Sequence, residues 1–520
     1  MMPVLRPVVF KNRGQFALLA IVAMTCAPRV ANAQHQTPDI TPIQLNSALP
    51  YKISLEEYDF GATDLPTLHS FNAAHHDGKW VVFAGRTNGM HGFEAIGPGN
   101  FPPSAQNKEV WVIDPVTKQS WSRSLESASG GLTPTEIRSL TPANTQYYQR
   151  GDHLYVTGGY GVLVDPGTPN TTNGTFNTLT AVNLPGIIDW VMNDTGTAKQ
   201  RIRQITNTQF RVTGGAMYEV DGRTHLVFGQ NFSGNYGPGS NGIYTNQVRS
   251  FDIVDDGTNL SIANLTSSTP DTDYRRRDLN VFPVIRSDTG GGLDEEIVVL
   301  SGVFTLDDGI WTVPVEVAPN GLNVDVTMDD PMSASTFKQG FNGYHSAKLG
   351  MFSETSGDMH EILFGGISLQ TLDTATQTVV TDNGMPFVND ITSVMIDADG
   401  NYSQHWIGEY PNIHHFDDLG VDKGRLRFGA NAEFFLADGI EIYENGVIKL
   451  DELMQPTLLG YIYGGLYSNS PHTRGVPSAI SGASDRIFAV MYTPVPEPAS
   501  GMLLLVACIA SAVTRRHDRR

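Results

Sequence analysis

The chain has 520 residues and a formal net charge of −20, with 54 Asp+Glu against 34 Lys+Arg. An acidic surface repels phosphate backbones, and the sequence contains no basic stripe, so we expect no nucleic-acid binding. The only two cysteines, Cys26 and Cys508, lie close to the two ends. The body between them therefore has no disulfide, and its stability must come from the burial of a large core.

The N-terminus has the pattern of a secretory signal peptide. Lys11 and Arg13 precede the apolar run 16–24, and small residues follow at the positions that signal peptidase reads. We therefore expect residues 1–33 to be a signal peptide, cut by signal peptidase between Ala33 and Gln34 after export through the inner membrane. Two alternatives have weaker support. The apolar run is short for a non-cleaved anchor, and Cys26 lacks the leading residues of a lipidation site.

Six short β-rich runs in the body each end in glycine. The closing residues are Gly85, Gly159, Gly229, Gly302, Gly366 and Gly465, with steps of 74, 70, 73, 64 and 99 residues. Valine, isoleucine and aromatic residues dominate these runs, as is typical of strands. Regular spacing in a chain with little helical periodicity predicts a radial or solenoid repeat.

Further predicted strands flank each of these runs. Companion strands follow them at 109–114, 176–182, 247–252, 310–315, 391–396 and 486–491. The repeating unit is thus four antiparallel strands, which is the blade of a β-propeller. The pattern resembles kelch and galactose-oxidase-type propellers, whose second strand ends in paired glycines, here intact at 158–159, 365–366 and 464–465.

We therefore predict an all-β fold in which residues 50–494 form a propeller of six four-stranded blades. A seven-bladed ring is the alternative, because the last step of 99 residues has room for a degenerate blade around 433–450. The predicted strand 51–60 precedes the first blade, and the last blade lacks an outer strand. We expect the N-terminal strand to complete the last blade and to leave no exposed edge at the seam.

A looser register precedes the glycine-ended strands. Roughly equivalent positions are occupied by Asn72, Asn144, Gly215, Asn280, His345 and Asn431. Four residues earlier lie Leu68, Leu140, Arg211, Arg276, Phe341 and Arg427. A spacing of four on a strand keeps the same face, so three arginines are expected beside the central channel.

Three arginines beside the channel would attract an acidic ligand, such as a uronic-acid polysaccharide or a peptide terminus. The candidate ligand-binding residues are Arg211, Arg276, Arg427, His345, Asn72, Asn144, Asn280 and Asn431. The alternative is that each arginine pairs with an acid of the neighbouring blade and holds the ring together.

No motif in the body predicts a cofactor, a metal or a catalytic residue. Galactose-oxidase chemistry needs a cysteine cross-linked to a tyrosine, and the segment 305–311 is one residue short of a sialidase box. The acidic run 397–401 lacks the spacing of a calcium loop. The adjacent histidines at 75–76 and 414–415 would point to opposite faces of a strand.

The C-terminus, residues 495–520, has three ordered parts. Pro496, Glu497 and Pro498 precede the apolar run 501–513, and Arg515 and Arg516 begin a basic tail. The apolar run is shorter than the about 20 residues of a stable membrane span. The pattern resembles the PEP-CTERM sorting signal. This resemblance implies a short transmembrane helix, processing by a membrane protease of the exosortase type, and a cell-surface or extracellular location linked to exopolysaccharide.

After removal of both terminal segments, the body 34–498 carries 26 Lys+Arg and 53 Asp+Glu. The expected function is that of an exported propeller at the cell surface or in the extracellular matrix. It would bind a polysaccharide or an envelope protein without catalysis. The alternatives are an extracellular polysaccharide hydrolase or lyase on the same scaffold, and a purely structural matrix protein.

Overall fold

The computed structural model describes residues 40–495 except 46–47, 93–98, 164–171, 238–241, 288–289, 418 and 474–479. All described residues belong to one compact unit. The predicted signal peptide with its cleavage site at Ala33 and Gln34 lies outside the described residues. So does the predicted sorting signal at Pro496, Glu497, Pro498, Arg515 and Arg516.

Six antiparallel sheets follow one another along the chain and form the blades of a β-propeller. The strands of each blade are given from the inner to the outer edge. Blade 1 contains Asn72–His76, Lys79–Phe83, Glu109–Asp114 and Gln119–Ser124. Blade 2 contains Gln146–Arg150, His153–Thr157, Thr178–Asn183 and Ile202–Thr206. Blade 3 contains Ala216–Val220, Arg223–Val227, Val248–Asp255 and Leu260–Ser267.

The other three blades complete the ring and confirm the predicted number of six. Blade 4 contains Asn280–Ser287, Leu293–Leu300, Val315–Asn320 and Asn323–Thr327. Blade 5 contains Ala347–Phe352, Met359–Ile367, Phe387–Ile396 and Tyr402–Glu409. Blade 6 contains Arg427–Leu436, Thr457–Ser468, Ile487–Pro494 and Tyr51–Tyr58. The short strand Ser481–Ala483 also pairs with the second strand of blade 6.

The N-terminal strand completes the last blade, as predicted. Tyr51–Tyr58 pairs antiparallel with Ile487–Pro494, so that Tyr51 lies opposite Pro494 and Tyr58 opposite Ile487. Alternate residues from Tyr51 to Leu55 are buried, in agreement with the period of two of a strand that packs on one face. The pairing joins the two ends of the body and gives the last strand an outer partner.

Two expectations about strands are wrong. A seventh blade around 433–450 does not exist, because Glu433 belongs to the inner strand of blade 6 and Ile448–Lys449 pairs in parallel with the inner strand of blade 5. The companion strand of blade 4 lies at Val315–Asn320 rather than at 310–315. Trp311 instead lies in the connection that precedes this strand, where its indole N–H donates to the carbonyl of Arg275 at 2.7 Å.

Short elements decorate the connections between strands. The two-stranded hairpins are Tyr160–Val162 with Asn173–Thr175, Gln230–Asn231 with Ile243–Tyr244, Gln370–Asp373 with Thr378–Thr381, and His414–Phe416 with Asp422–Arg425. The α-helices are Pro134–Ser139 and Leu184–Asn193, and the 3-10 helices are Pro103–Ala105, Ala128–Gly130, Ala198–Arg201, Thr208–Phe210, Thr272–Tyr274 and Leu450–Glu452. In the described ranges, no helix is long and apolar enough to cross a bilayer.

The core lies between the faces of neighbouring blades. One cluster joins Tyr148 and Leu179 of blade 2 to Leu226 and Phe251 of blade 3, and all four side chains are buried. The cluster that joins blade 1 to blade 6 contains Trp80, which stacks on Phe435 with ring centroids 4.4 Å apart. Since each blade buries both faces against its neighbours, apolar side chains point to both sides of the central strands.

Candidate functional site

The inner strands of all six blades surround a channel along the propeller axis. We call the end at which these strands begin the upper face. A cavity of about 470 Å³ opens there and is called the upper mouth. A constriction of about 50 Å³, the waist, lies below it, followed by a lower chamber of about 1210 Å³. The waist shares Asn144 and Asp278 with the mouth, and Lys348 and Glu433 with the lower chamber.

A closed ring of six backbone hydrogen bonds defines the waist. Each blade contributes one residue, and the N–H of each donates to the carbonyl of a residue in the adjacent blade. The bonds are Ser70 to Asn431 (3.2 Å), Asn144 to Ser70 (3.3 Å), Gly214 to Asn144 (3.1 Å), Asp278 to Gly214 (2.7 Å), His345 to Asp278 (2.9 Å) and Asn431 to His345 (3.1 Å). The ring ties each blade to the next at a point two residues before its inner strand in blades 1 to 5, and within the inner strand at Asn431 in blade 6.

Ring residues share a backbone conformation rather than a residue type. All except His345 have φ between +47° and +66°. This left-handed region is accessible to glycine and is tolerated by asparagine and aspartate. The predicted register is therefore correct at Asn144, His345 and Asn431, but it is displaced at Asn72, Gly215 and Asn280. In those blades the equivalent residues are Ser70, Gly214 and Asp278.

Aromatic rings form one wall of the upper mouth. The His91 ring stacks on Phe101 with centroids 5.3 Å apart and meets the edge of Tyr236 at 4.5 Å. Tyr160 contacts both Phe101, at 5.3 Å, and Phe232, at 5.4 Å. These rings come from the connections that follow the second strands of blades 1, 2 and 3, so blade geometry places them on the same side of the mouth.

Arg277 is the cation at the floor of the mouth. Its guanidinium lies 5.1 Å from the centre of the Phe304 ring, and its Nε is 3.7 Å from Oδ2 of Asp278. Burial alone would lower the pKa of Arg277, but Tyr244, Asp278, Tyr236 and Tyr344 together raise it above its usual value. The arginine therefore stays charged at every physiological pH.

This charge is only partly satisfied within the protein. Arg277 Nε is buried and has no hydrogen-bond partner, and the hydroxyl of neighbouring Tyr244 is also buried without one. Burial raises the pKa of Asp278, and the positive charge of Arg277 partly offsets this increase. The separation of 3.7 Å from Arg277 to Asp278 exceeds a hydrogen bond. Arg277 is therefore a charged donor with an unused N–H group below the aromatic walls of the mouth, which suits it to bind an anionic group of a ligand.

A second arginine supports the far side of the mouth. The Arg275 guanidinium stacks over the Tyr244 ring at 4.0 Å and donates to the carbonyls of Phe304 and Thr305. Phe304 in turn meets Tyr344 edge to face at 6.2 Å. On the rim, His472 and Asp382 form a pair with 2.9 Å between Nε2 and Oδ2. Arg275 thus fixes the loop whose Phe304 faces the Arg277 guanidinium.

The structure does not bring the three predicted arginines together, and none of them lines the described mouth, waist or chamber. Arg211 is exposed at the end of the 3-10 helix Thr208–Phe210. Arg276 is fully buried inside blade 4, where it donates to the carbonyls of Ser301 and Val313 at 3.2 and 2.8 Å. Arg427 begins the inner strand of blade 6 and donates to the carbonyl of Arg425 at 3.1 Å.

The predicted polar residues fall into two groups. Asn144, His345 and Asn431 line the waist, and Asn144 also lines the mouth. Asn72 and Asn280 are buried and bridge neighbouring blades instead. Asn280 donates to the carbonyls of Asn342 and Tyr344 at 2.9 and 2.7 Å, and its side-chain oxygen accepts from the Ser346 N–H at 2.9 Å.

The residue that sequence reasoning missed is Arg277. Its signal is the run Arg275-Arg276-Arg277, three consecutive arginines in an acidic body. Adjacent side chains of an extended segment face opposite sides, so only one of two neighbours can reach the mouth. The displaced register selected Arg276, whose side chain enters blade 4.

The chain was compared with known proteins. No protein-family model matches it, and no curated protein sequence does. A solved structure titled "Structure of YjhT" aligns with a TM-score of 0.42 and 12% sequence identity, covering 84% of this chain and 97% of that one. The six-bladed fold therefore rests on the strand pairing described above.

Proposed function

We propose that the protein is an exported propeller that binds an acidic carbohydrate at the upper mouth, with Arg277 as the anchor for a ligand carboxylate. One observation carries the proposal: a buried, partly unpaired arginine lies at the floor of an aromatic-walled cavity on the channel axis. A volume of about 470 Å³ is within the range of cavities that hold small ligands. The ligand is therefore a short stretch or an end of a chain.

The chemistry of the walls favours a sugar. Flat aromatic faces bury the apolar faces of a ligand ring, while the hydroxyls of tyrosines supply polar contacts at their edges. Gln230, Asn144 and Thr213 add uncharged polar groups to the lining. Arginine holds a planar carboxylate with two parallel hydrogen bonds, which a lysine cannot reproduce. A uronic acid presents this combination of ring faces, hydroxyls and one carboxylate.

The proposed setting of this activity is the cell surface or the extracellular matrix. It rests on the terminal segments, which lie outside the described residues. The N-terminal segment 1–33 has the features of a signal peptidase substrate, and the tail from Pro496 to the arginines 515–516 has those of an exosortase substrate. An exopolysaccharide with uronic acids would be a ligand available in that setting.

Affinity measurements on matched arginine variants test the proposal. Oligogalacturonate binding to the purified protein is measured by calorimetry, with Arg277→Gln as the test variant and Arg211→Gln as the control. A hydrogen-bonded charge contributes about 1.5–3 kcal/mol, so Arg277→Gln should weaken binding by about ten- to a hundred-fold. The Arg211 variant should bind like the wild type, because that side chain is exposed and outside the mouth.

Two outcomes would contradict the proposal: equal binding by the wild type and Arg277→Gln, or no binding of any uronate oligomer by the wild type. Release of shortened oligomers during the measurement would favour the alternative hydrolase or lyase. Thermal unfolding of each variant separates a lost contact from a lost fold. Arg277→Lys adds a further comparison, since it keeps the charge and removes the forked geometry.

A further inference from the structure

The lower chamber contains a lysine that no function of the mouth explains. Lys348 lies on the inner strand of blade 5 and lines both the waist and the lower chamber. Its amine makes no hydrogen bond and no ion pair within 4 Å to any part of the chain that the structure describes. Lys108 and Lys423, by contrast, pair with Glu126 and Asp417 at 2.6 and 2.8 Å. Lys348 is thus partly buried and unpaired.

The groups around Lys348 are titratable and partly buried as well. The carboxyl oxygen of Glu433 lies 3.8 Å from His345 Nε2, and the neighbouring Tyr147 hydroxyl acts to lower the pKa of Glu433. The Tyr218 hydroxyl, which donates to the carbonyl of Val281 at 2.9 Å, lines the same chamber. Glu433 lines the waist and the chamber together with Lys348, and its charge acts on the pKa of the amine.

We propose that Lys348 is a reactive amine that forms an imine with small neutral aldehydes entering the lower chamber. The chemical class of the ligand is an aldehyde, such as the open-chain form of a small sugar. The site is separate from the upper mouth and does not rest on the function proposed there.

Protonation favours this chemistry. Burial lowers the pKa of Lys348, against the opposing effect of Glu433. Burial raises the pKa of Glu433 to about 7, against the effects of Lys348 and Tyr147. An exposed lysine has about one amine in 2,500 uncharged at neutral pH, and the uncharged amine is the nucleophile. Lys348 therefore presents a larger reactive fraction, beside a carboxyl group that can give and take a proton near neutrality.

The reaction balances with these groups alone. The Nζ lone pair forms a bond to the carbonyl carbon, the carbonyl oxygen takes a proton from Glu433, and the nitrogen returns one to the carboxylate. Glu433 then protonates the hydroxyl of the carbinolamine, the carbon–oxygen bond breaks and water leaves. The product is a protonated imine with the Glu433 carboxylate as its counter-ion. No oxidant or reductant takes part.

The shape and charge of the chamber select the aldehyde. The lower chamber measures about 1210 Å³, whereas the waist between it and the upper mouth holds only about 50 Å³. The ligand therefore enters from the lower face. Asp221, Asp294, Glu295 and Glu444 line this chamber, and the structure gives them no ion pair with any described residue. Their charge repels anionic aldehydes and leaves neutral ones as the preferred class.

Reductive trapping tests the proposal. The purified full chain is incubated at neutral pH with glycolaldehyde and cyanoborohydride, and the labelling rate of each lysine is read by peptide mass spectrometry. Exposed Lys52 is the internal reference. We expect Lys348 to be labelled about ten-fold faster than Lys52, because of its larger uncharged fraction. An equal or slower rate at Lys348 overturns the proposal.

Three comparisons make the test specific. In urea the two lysines should react at the same rate, and a preference that survives unfolding would overturn the role of the chamber. A dextran carrying aldehydes should label Lys52 and not Lys348, and labelling of both would overturn the access argument. Glu433→Gln should slow labelling of Lys348 although it leaves more of the amine uncharged. A faster rate would remove Glu433 as the proton donor.

Discussion

Replacement of the glycine that follows the second strand of blade 3 tests how closely the backbone segments of one blade pack. Gly229 has a φ of +78°, and its N–H donates to the carbonyl of Arg276 at 2.9 Å, on the approach to the next blade. A Cβ at this position would lie 2.6 Å from Val212 Cγ1, 2.8 Å from the nitrogen of Gly215 and 2.9 Å from the oxygen of Thr213. Two of these three atoms belong to the backbone, so they cannot move without distorting the chain.

Gly222, in the hairpin between the first two strands of the same blade, is the matched control. Its φ is +71°, and a Cβ there would meet no atom within 4 Å. Both substitutions carry the backbone penalty of an L-residue in the left-handed region, about 1–2 kcal/mol. Only Gly229→Ala adds overpacking, about 1–3 kcal/mol. We therefore expect a loss of about 2–5 kcal/mol in the free energy of unfolding for Gly229→Ala and about 1–2 kcal/mol for Gly222→Ala.

Urea unfolding followed by tryptophan fluorescence measures both losses. The difference between the two variants isolates the close approach of Gly229 to the segment that leads into the inner strand of the same blade, because the backbone penalty cancels. Equal losses for the two variants would refute the reasoning, since they would show that the space around Gly229 does not matter.

Two further predictions concern buried polar groups. Asn280→Ala should lower the free energy of unfolding by about 2–4 kcal/mol, because it leaves the backbone groups of Asn342, Tyr344 and Ser346 without their partner. The affinity for the ligand should not change. Weaker ligand binding by a stably folded variant would instead support the binding role that the sequence predicts for Asn280. Burial raises the pKa of Glu433 from 4.5 to about 7, so the folded protein retains a proton that the unfolded chain loses between these values. The contribution of this group to the free energy of unfolding should therefore fall as the pH rises from about 4.5 to about 7. The difference in free energy of unfolding between Glu433→Gln and the wild type should increase in favour of the variant by up to about 3 kcal/mol over the same range. Parallel pH profiles of the two proteins in urea unfolding would contradict it.

The closing glycines made the architecture predictable from sequence. Gly85, Gly159, Gly229, Gly302, Gly366 and Gly465 all have positive φ, between +78° and +104°. Because other residues adopt this conformation at a cost, glycine recurs once in each blade and marks the repeat. The strand Tyr51–Tyr58 was predictable for a related reason, since the repeat has four strands and the last blade would otherwise end at its third strand.

The candidate site was less predictable, because its repeat lies in conformation rather than in residue type. Ser70 and Asp278 occupy ring positions that asparagine also tolerates, so the sequence pattern favours the asparagines two residues downstream, Asn72 and Asn280. The fourth residue before the predicted register position Asn280 is Arg276, whereas Arg277 directly precedes the ring residue Asp278, a position that the predicted spacing does not include. The helix Leu184–Asn193 was also missed. It begins with a capping hydrogen bond from the Gly186 N–H to the Asn183 side chain, but it interrupts a blade at a point where the repeat predicts only a turn.

The central functional claim is a direct interaction between Arg277 and a carboxylate of the ligand. A thermodynamic cycle measures it: the affinities of the wild type and Arg277→Gln for oligogalacturonate and for its neutral methyl ester. We predict a coupling free energy of at least about 1.4 kcal/mol, so that the variant loses most of its discrimination between the two ligands. A coupling near zero, with the acid and the ester weakened equally by the substitution, would contradict the assignment of Arg277 as the anchor.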